Sequence, residues 1–250
     1  MIQFFNHKSI LSNNTEWTVT KAEIDFGGPL FSKAKQQAQL KSIHTMAANQ
    51  AGVYRSPELK YNKQLMGTLA EICVQTFLEL NINKHGLDKD WRVERYDDIR
   101  TDNFTSSQNE FDIKAFKIIN HTKSYKIETR SSIVKDRSLV SAIESFHIIG
   151  AYSSIAKMGE GENDFYILPL HLYTNQSIPY LPSQYEKKLI KGEIEFYIVA
   201  GCTNTKLQSK GYVNNLQQGA TQFRLLRASH ADDSQSFINE FISILNPVGK

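Results

Sequence analysis

Carboxylates and cations alternate with apolar residues in one short stretch of the chain. It runs Glu110-Phe111-Asp112-Ile113-Lys114-Ala115-Phe116-Lys117-Ile118, then Ile119-Asn120-His121-Thr122-Lys123, then Ser124-Tyr125-Lys126-Ile127-Glu128-Thr129-Arg130-Ser131-Ser132. In the second arm Tyr125, Ile127, Thr129, Ser131 and Ile133 take one face of a strand, and Lys126, Glu128, Arg130 and Ser132 the other. An antiparallel hairpin centred near Asn120 sets Asp112 opposite Glu128 and Lys114 opposite Lys126. Opposed Cβ atoms are roughly 4.5–5.5 Å apart, close enough for two carboxylates to share one cation. Two anions so placed repel unless a metal or a basic group sits between them. A slip of one residue on one arm leaves the acids near neighbours. The same pattern also suits a solvated cross-strand charge ladder, worth only about 0.2–1 kcal/mol per pair.

Other elements must position this hairpin. Leu65, Leu69, Ile72, Cys73, Thr76, Phe77 and Leu80 recur at helical spacing and predict a core helix over 61–80. Glu71 lies outside that stripe, and Gly67, four residues earlier, shares its side of the helix. An interior glycine costs about 1 kcal/mol relative to alanine, which points to close packing there. Residues 1–60 read as partly helical, with a run from Phe31 to Ala51 punctuated by Pro29 and Gly52. Its Lys33, Lys35 and Lys41 form either a solvated face or a set of phosphate contacts. From residue 91 the chain reads mainly as strands, among them Trp91–Tyr96, Phe111–Ile118, Ser124–Val134, Phe146–Tyr152, Phe165–Tyr173, Ile194–Gly201 and Gln222–Arg227. Asp232 or Asp233 caps a last helix through Phe237, Ile238, Phe241, Ile242 and Leu245. The expected fold is α/β (α+β), a central mixed β-sheet flanked by helices. One domain over 1–250 is expected, with 61–134 as its core, 1–60 as an N-terminal helical part, and 135–250 as a sheet extension with a C-terminal helix. Asp97, Asp98 and Asp102 with Arg95 and Arg100 read as a solvated turn, and His147 and His171 as hydrogen-bonded sheet histidines. The polar loop Lys206–Thr221, with Lys206 and Lys210, is a candidate for reading DNA.

These residues resemble the PD-(D/E)XK nuclease superfamily, to which many restriction endonucleases belong. The resemblance covers about residues 61–134. It implies a restriction-endonuclease-like core in which Glu71 is the helix glutamate, Asp112 the strand aspartate, and Glu128-Thr129-Arg130 the acid-x-lysine element. Phe111 stands where the family has proline, and Arg130 where it has lysine. Arginine stays protonated, so Arg130 can stabilise charge but cannot act as a general base; Lys126 or Lys114 could supply the cation instead. The resemblance implies Mg²⁺ held by Asp112 and Glu128, with Glu71 binding a second ion or orienting water, and catalysis by Glu71, Asp112, Glu128, Arg130 and Lys126. It implies metal-assisted hydrolysis of DNA phosphodiester bonds, plausibly by a type II restriction enzyme working as a homodimer on double-stranded DNA. Lys33, Lys35, Lys41, Lys206 and Lys210 would contact the nucleic acid. The competing expectation is a non-catalytic nucleic-acid-binding or assembly protein that keeps the nuclease fold.

Composition narrows the field without deciding it. The 250 residues carry 29 Lys+Arg against 26 Asp+Glu, a net +3 that permits a polyanionic partner without requiring one. Two distant cysteines, Cys73 and Cys202, exclude a disulfide framework and a recognisable zinc site. The longest apolar runs look too short for a membrane helix, and Met1–Lys8 lacks the order of a signal peptide, so a cytoplasmic protein is expected.

Overall fold

The computed structural model describes residues 1–46, 54–105, 111–119, 123–153, 161–175, 177–214 and 222–247. The first element corrects the expectation of a helical N-terminal part. Strands β1 (Ile2–Ile10) and β2 (Glu16–Ile24) form an antiparallel hairpin. Its turn uses Asn14 at φ 63, a left-handed conformation that asparagine tolerates. In β2 Trp17, Val19 and Ala22 are buried, and the Trp17 indole donates to the Val199 carbonyl at 2.9 Å. Consecutive Phe4-Phe5 and mixed polar residues hide the period of two in β1; the Ser12-Asn13-Asn14-Thr15 turn was the readable signal.

Helix α1 (Pro29–His44) starts with proline in its first turn and buries Phe31, Ala34 and Ala38. It ends before the expected Ala51. Helix α2 (Pro57–Lys84) extends the predicted 61–80 at both ends, capped by the Ser56 hydroxyl accepting from Leu59 N–H at 3.2 Å. Its buried stripe includes Leu65, Leu69, Ile72, Cys73 and Phe77 as the spacing predicts, whereas Leu80 is exposed. This helix is long and apolar enough to cross a membrane by length and composition, contrary to the estimate from uninterrupted apolar runs. It instead packs within the fold, between α1 and the sheet. Gly67 also departs from expectation: a Cβ there would meet nothing within 4 Å, so close packing is not the reason for glycine.

The remaining elements are β3 (Trp91–Arg95), α3 (Tyr96–Ile99), β4 (Ile113–Lys117), β5 (Ser124–Thr129), β6 (Ser132–Val134), α4 (Leu139–Ser145), β7 (His147–Ser153), β8 (Phe165–Tyr173), α5 (Tyr185–Ile190), β9 (Ile194–Thr203), α6 (Asn204–Lys210), β10 (Tyr212–Asn214), β11 (Gln222–Arg227), β12 (Asp232–Asp233) and α7 (Ser234–Leu245). The fold is α+β. Its mixed sheet runs β1-β2-β9-β8-β5-β4-β3, with β12 beside β9 and β6 beside β8, and β10-β11-β7 form a smaller second sheet. One core joins α1, α2 and α7 to one sheet face through Ile113, Ala115, Ile127, Phe165 and Ile167. The other gathers Tyr166, Leu168, Leu170 and Val199 with α4 on the opposite face. Gly201 lets α7 approach, since a Cβ there would lie 2.4 Å from the Phe237 ring.

The predicted strand Ser124–Val134 is broken into β5 and β6 at Arg130-Ser131. Pro169 of β8 explains the break: it has no N–H to donate, and it sits between the stretches of β8 that pair with β5 and with β6. The expected polar loop after Lys206 is α6 and β10 as far as Asn214; 215–221 lie outside the described residues. The Thr203 hydroxyl caps α6 by accepting from Lys206 N–H at 3.3 Å.

Candidate active site

Strands β4 and β5 pair in the register the alternation predicts, with Lys114 opposite Lys126 and Ile113 opposite Ile127. Ile113, Ala115 and Ile127 face the α2 core, so Lys114, Lys126 and Glu128 alternate to the other side. Asp112 stands just ahead of β4. Its Oδ2 accepts the Thr129 N–H at 2.8 Å, which ties it to the end of β5 beside Glu128. Both oxygens of Glu128 are engaged: Oε1 accepts from Arg130 Nε at 2.7 Å and Oε2 from Asn163 Nδ2 at 3.2 Å. Burial, then the charges of Glu128 and Glu71, raise the Asp112 pKa well above the ordinary carboxylate range. The three acids singled out from the sequence therefore share one electrostatic neighbourhood.

Glu71 reaches it from α2. Its Oε2 accepts from Arg95 at 3.1 Å, and its Oε1 lies 3.7 Å from Lys41 Nζ. Burial raises its pKa despite the opposing pull of Lys41 and Arg95. Arg95 corrects the reading of a solvated turn: its side chain is 0% exposed and also reaches Asp97 at 3.4 Å, Asp98 at 3.4 Å and Gln37 at 3.0 Å. Lys41 pairs with Asp97 as well; burial alone would lower its pKa, but Glu71 and Asp97 outweigh that and raise it. Arg100 binds Asp102 at 2.7 Å and stacks over Phe104, its guanidinium carbon 4.6 Å from the ring centre. Above these groups opens a cleft of about 340 Å³, lined among others by Lys41, Gln64, Glu71, Arg100, Phe104 and Asp112. Arg95 and Asn163 are the members that sequence reasoning missed. Two arginines among three aspartates over 95–102 were a signal for the first; nothing local marked the second.

The basic candidates are dispersed. Lys33 pairs with Asp98 and Lys35 with Glu186, both at 2.8 Å; Lys206 pairs with Asp232, and Lys210 is exposed on α6. Lys114 lies over the Phe111 and Phe116 rings, at 5.1 and 5.5 Å. Lys126 is half-buried, its backbone clasped by Asp164, whose Oδ2 accepts from Lys126 N–H at 2.7 Å. His171 sits in the core against the Tyr185 hydroxyl at 2.9 Å, and burial pushes its pKa down to about 3, so it stays neutral.

Neither a family model nor a solved structure matches the chain. It is similar to an uncharacterized protein of Methanocaldococcus jannaschii, 24% identical over 239 residues that span 87% of this chain and 82% of the relative. The site must therefore be judged on its own chemistry. Among the described residues no three His, Cys, Asp or Glu side chains converge to hold an ion. Mg²⁺ usually takes only one or two protein carboxylates and keeps several waters, so the lack of a three-residue cluster does not by itself exclude it. Asp112 is crowded by the like charges of Glu128 and Glu71, against which the Thr129 N–H and the charge of Arg130 pull the other way.

Proposed function

We propose that the chain is a Mg²⁺-dependent endonuclease that hydrolyses DNA phosphodiester bonds. The observation that carries this reading is the meeting, at one end of the sheet, of Asp112, whose Oδ2 accepts the Thr129 N–H beside Glu128 of β5, with Glu71 of α2, which lines the same cleft as Asp112. Asp112 and Glu128 would hold the ion, which supplies Lewis-acid polarisation of the phosphate and a more acidic bound water. Arg130, beside Glu128, offers positive charge to the phosphate oxygens. Glu71 is held by Arg95 and Lys41, which suits it to orient water from the cleft side rather than to bind a second ion. Double-stranded DNA cut at a specific site by a homodimer in the cytoplasm is the form of activity this reading adopts.

The test is incubation of the purified protein with plasmid and phage DNA in Mg²⁺ or EDTA, beside Glu128→Ala and Arg130→Ala. Discrete, metal-dependent fragments from the wild type alone are the expected result. Glu128→Ala should lose cleavage and keep DNA binding, because repulsion between anion and phosphate falls. A second reading, a non-catalytic nucleic-acid-binding protein on the same fold, draws on the 2.7 Å ion pair by which Arg130 neutralises Glu128. DNA binding without cleavage of any substrate would select it.

A further inference from the structure

Asn163 precedes β8 and is 5% exposed. Its Nδ2 donates to Glu128 Oε2 at 3.2 Å, while its Oδ1 is buried without a hydrogen-bond partner among the described residues. Buried acceptors are nearly always satisfied, and an orphan calls for an explanation such as an absent ion. Turning the carboxamide over would set its oxygen against a Glu128 oxygen, two acceptors face to face, so the orphan cannot be removed that way. Nor can the backbone drift, because it is pinned on both sides. Asn163 N–H donates to the Tyr166 hydroxyl at 3.1 Å, and Asp164 bridges to β5, its N–H donating to the Lys126 carbonyl at 2.9 Å. The parallel pairing of β8 with β5 sets Glu128 opposite Tyr166, three residues from Asn163.

We propose that Asn163 is a further ligand of the candidate cation site, contributing its carboxamide oxygen beside the carboxylates of Asp112 and Glu128 to a hard divalent cation. The inference rests on the nuclease reading and adds to it a residue outside the 61–134 core. Hard cations accept amide oxygens together with carboxylates.

The test uses the full chain, freed of metal and titrated with Mn²⁺, with affinity read by calorimetry and by the Mn²⁺-induced rise in Tm. Asn163→Ala should weaken Mn²⁺ binding about ten-fold, the lower end of what supporting residues of metal sites contribute. Asn163→Asp should bind Mn²⁺ at least as tightly as the wild type, since it keeps an oxygen and adds charge. Binding by Asn163→Ala equal to that of the wild type would overturn the proposal. So would Asn163→Asp binding more weakly than Asn163→Ala, the order expected if Asn163 served only to donate to Glu128. Loss of binding in Asp112→Asn alone would remove Asn163 from the site and leave the nuclease reading standing. No saturable Mn²⁺ binding by the wild type would overturn both.

Discussion

Asp112→Asn should stabilise the protein while abolishing cleavage. The aspartate is held above its ordinary pKa by burial first, then by Glu128 and Glu71. In the unfolded chain it ionises near pH 3.9. Below that pH the carboxyl is protonated in both states and the substitution is neutral. As pH rises, the unfolded state releases its proton first, so stability is lost through the window up to the raised native pKa and the loss persists above it. Asparagine has no proton to release, and its Oδ1 can still accept the Thr129 N–H that now reaches Asp112 at 2.8 Å. The gain at pH 7.5 should be about 1–2 kcal/mol, the scale on which strained functional residues trade stability for activity. For a chain of this size that is roughly 2–4 °C in Tm per kcal/mol. Thermal unfolding followed by circular dichroism at pH 7.5 and pH 3.5 measures it. A variant no more stable than the wild type at pH 7.5, or equally stabilised at both pH values, would refute the reasoning.

Removing Arg95 tests the network beneath the cleft. Arg95→Met strands Glu71 and Asp97, and breaking a buried pair from one side costs about 3–5 kcal/mol, which urea unfolding would report; a loss below about 1 kcal/mol would mean that Lys41 alone holds the acids. Gly67→Ala should add about 1 kcal/mol of helix stability, because its Cβ meets nothing within 4 Å. Gly67 lies on α2 between the cleft-lining Gln64 and Glu71, so the same variant should lower cleavage through KM; unchanged kinetics would show that the substrate does not pass there. Arg130→Lys keeps the ion pair with Glu128 in reach and restores a group that can lose its proton, so metal-dependent cleavage should rise; a rate no higher than the wild type's would show that arginine suffices at this position.

The hairpin was legible because its information is local. A period of two over Tyr125–Thr129 fixes the faces of β5, and the Lys114–Lys126 pair falls where a hairpin centred near Asn120 sets it, although 120–122 lie outside the described residues. The core of α2 was legible for the same reason, with a period of 3.6 over Leu65–Phe77. What failed was local information that competes with itself. Phe4-Phe5 breaks the alternation of β1, and the break between β5 and β6 is dictated by Pro169, about forty residues further along.

The site divides along the same line. Asp112, just ahead of β4, and Glu128 of β5 belong to the two arms of one hairpin, so their nearness could be read from their spacing. Asn163 reaches Glu128 only because β8 runs parallel to β5, a crossover pairing that leaves no mark in the sequence around either residue. Arg95 looked like a solvated cation because its neighbours are acids; burial reverses its meaning. At 0% exposure a guanidinium must satisfy its charge within the protein, and Glu71, Asp97 and Asp98 are the groups that do so. The near-balance of 29 basic and 26 acidic residues therefore conceals a division of labour. Several cations, Arg95, Lys41, Lys33 and Lys35 among them, are committed to neutralising acids around α1, α2 and β3. Asp112 keeps the repulsion of Glu128 and Glu71, offset by the Thr129 N–H and by Arg130. On the nuclease reading proposed above, a polyanion approaching this end of the sheet meets acids held by internal cations, and a divalent ion is what would bridge it to Asp112.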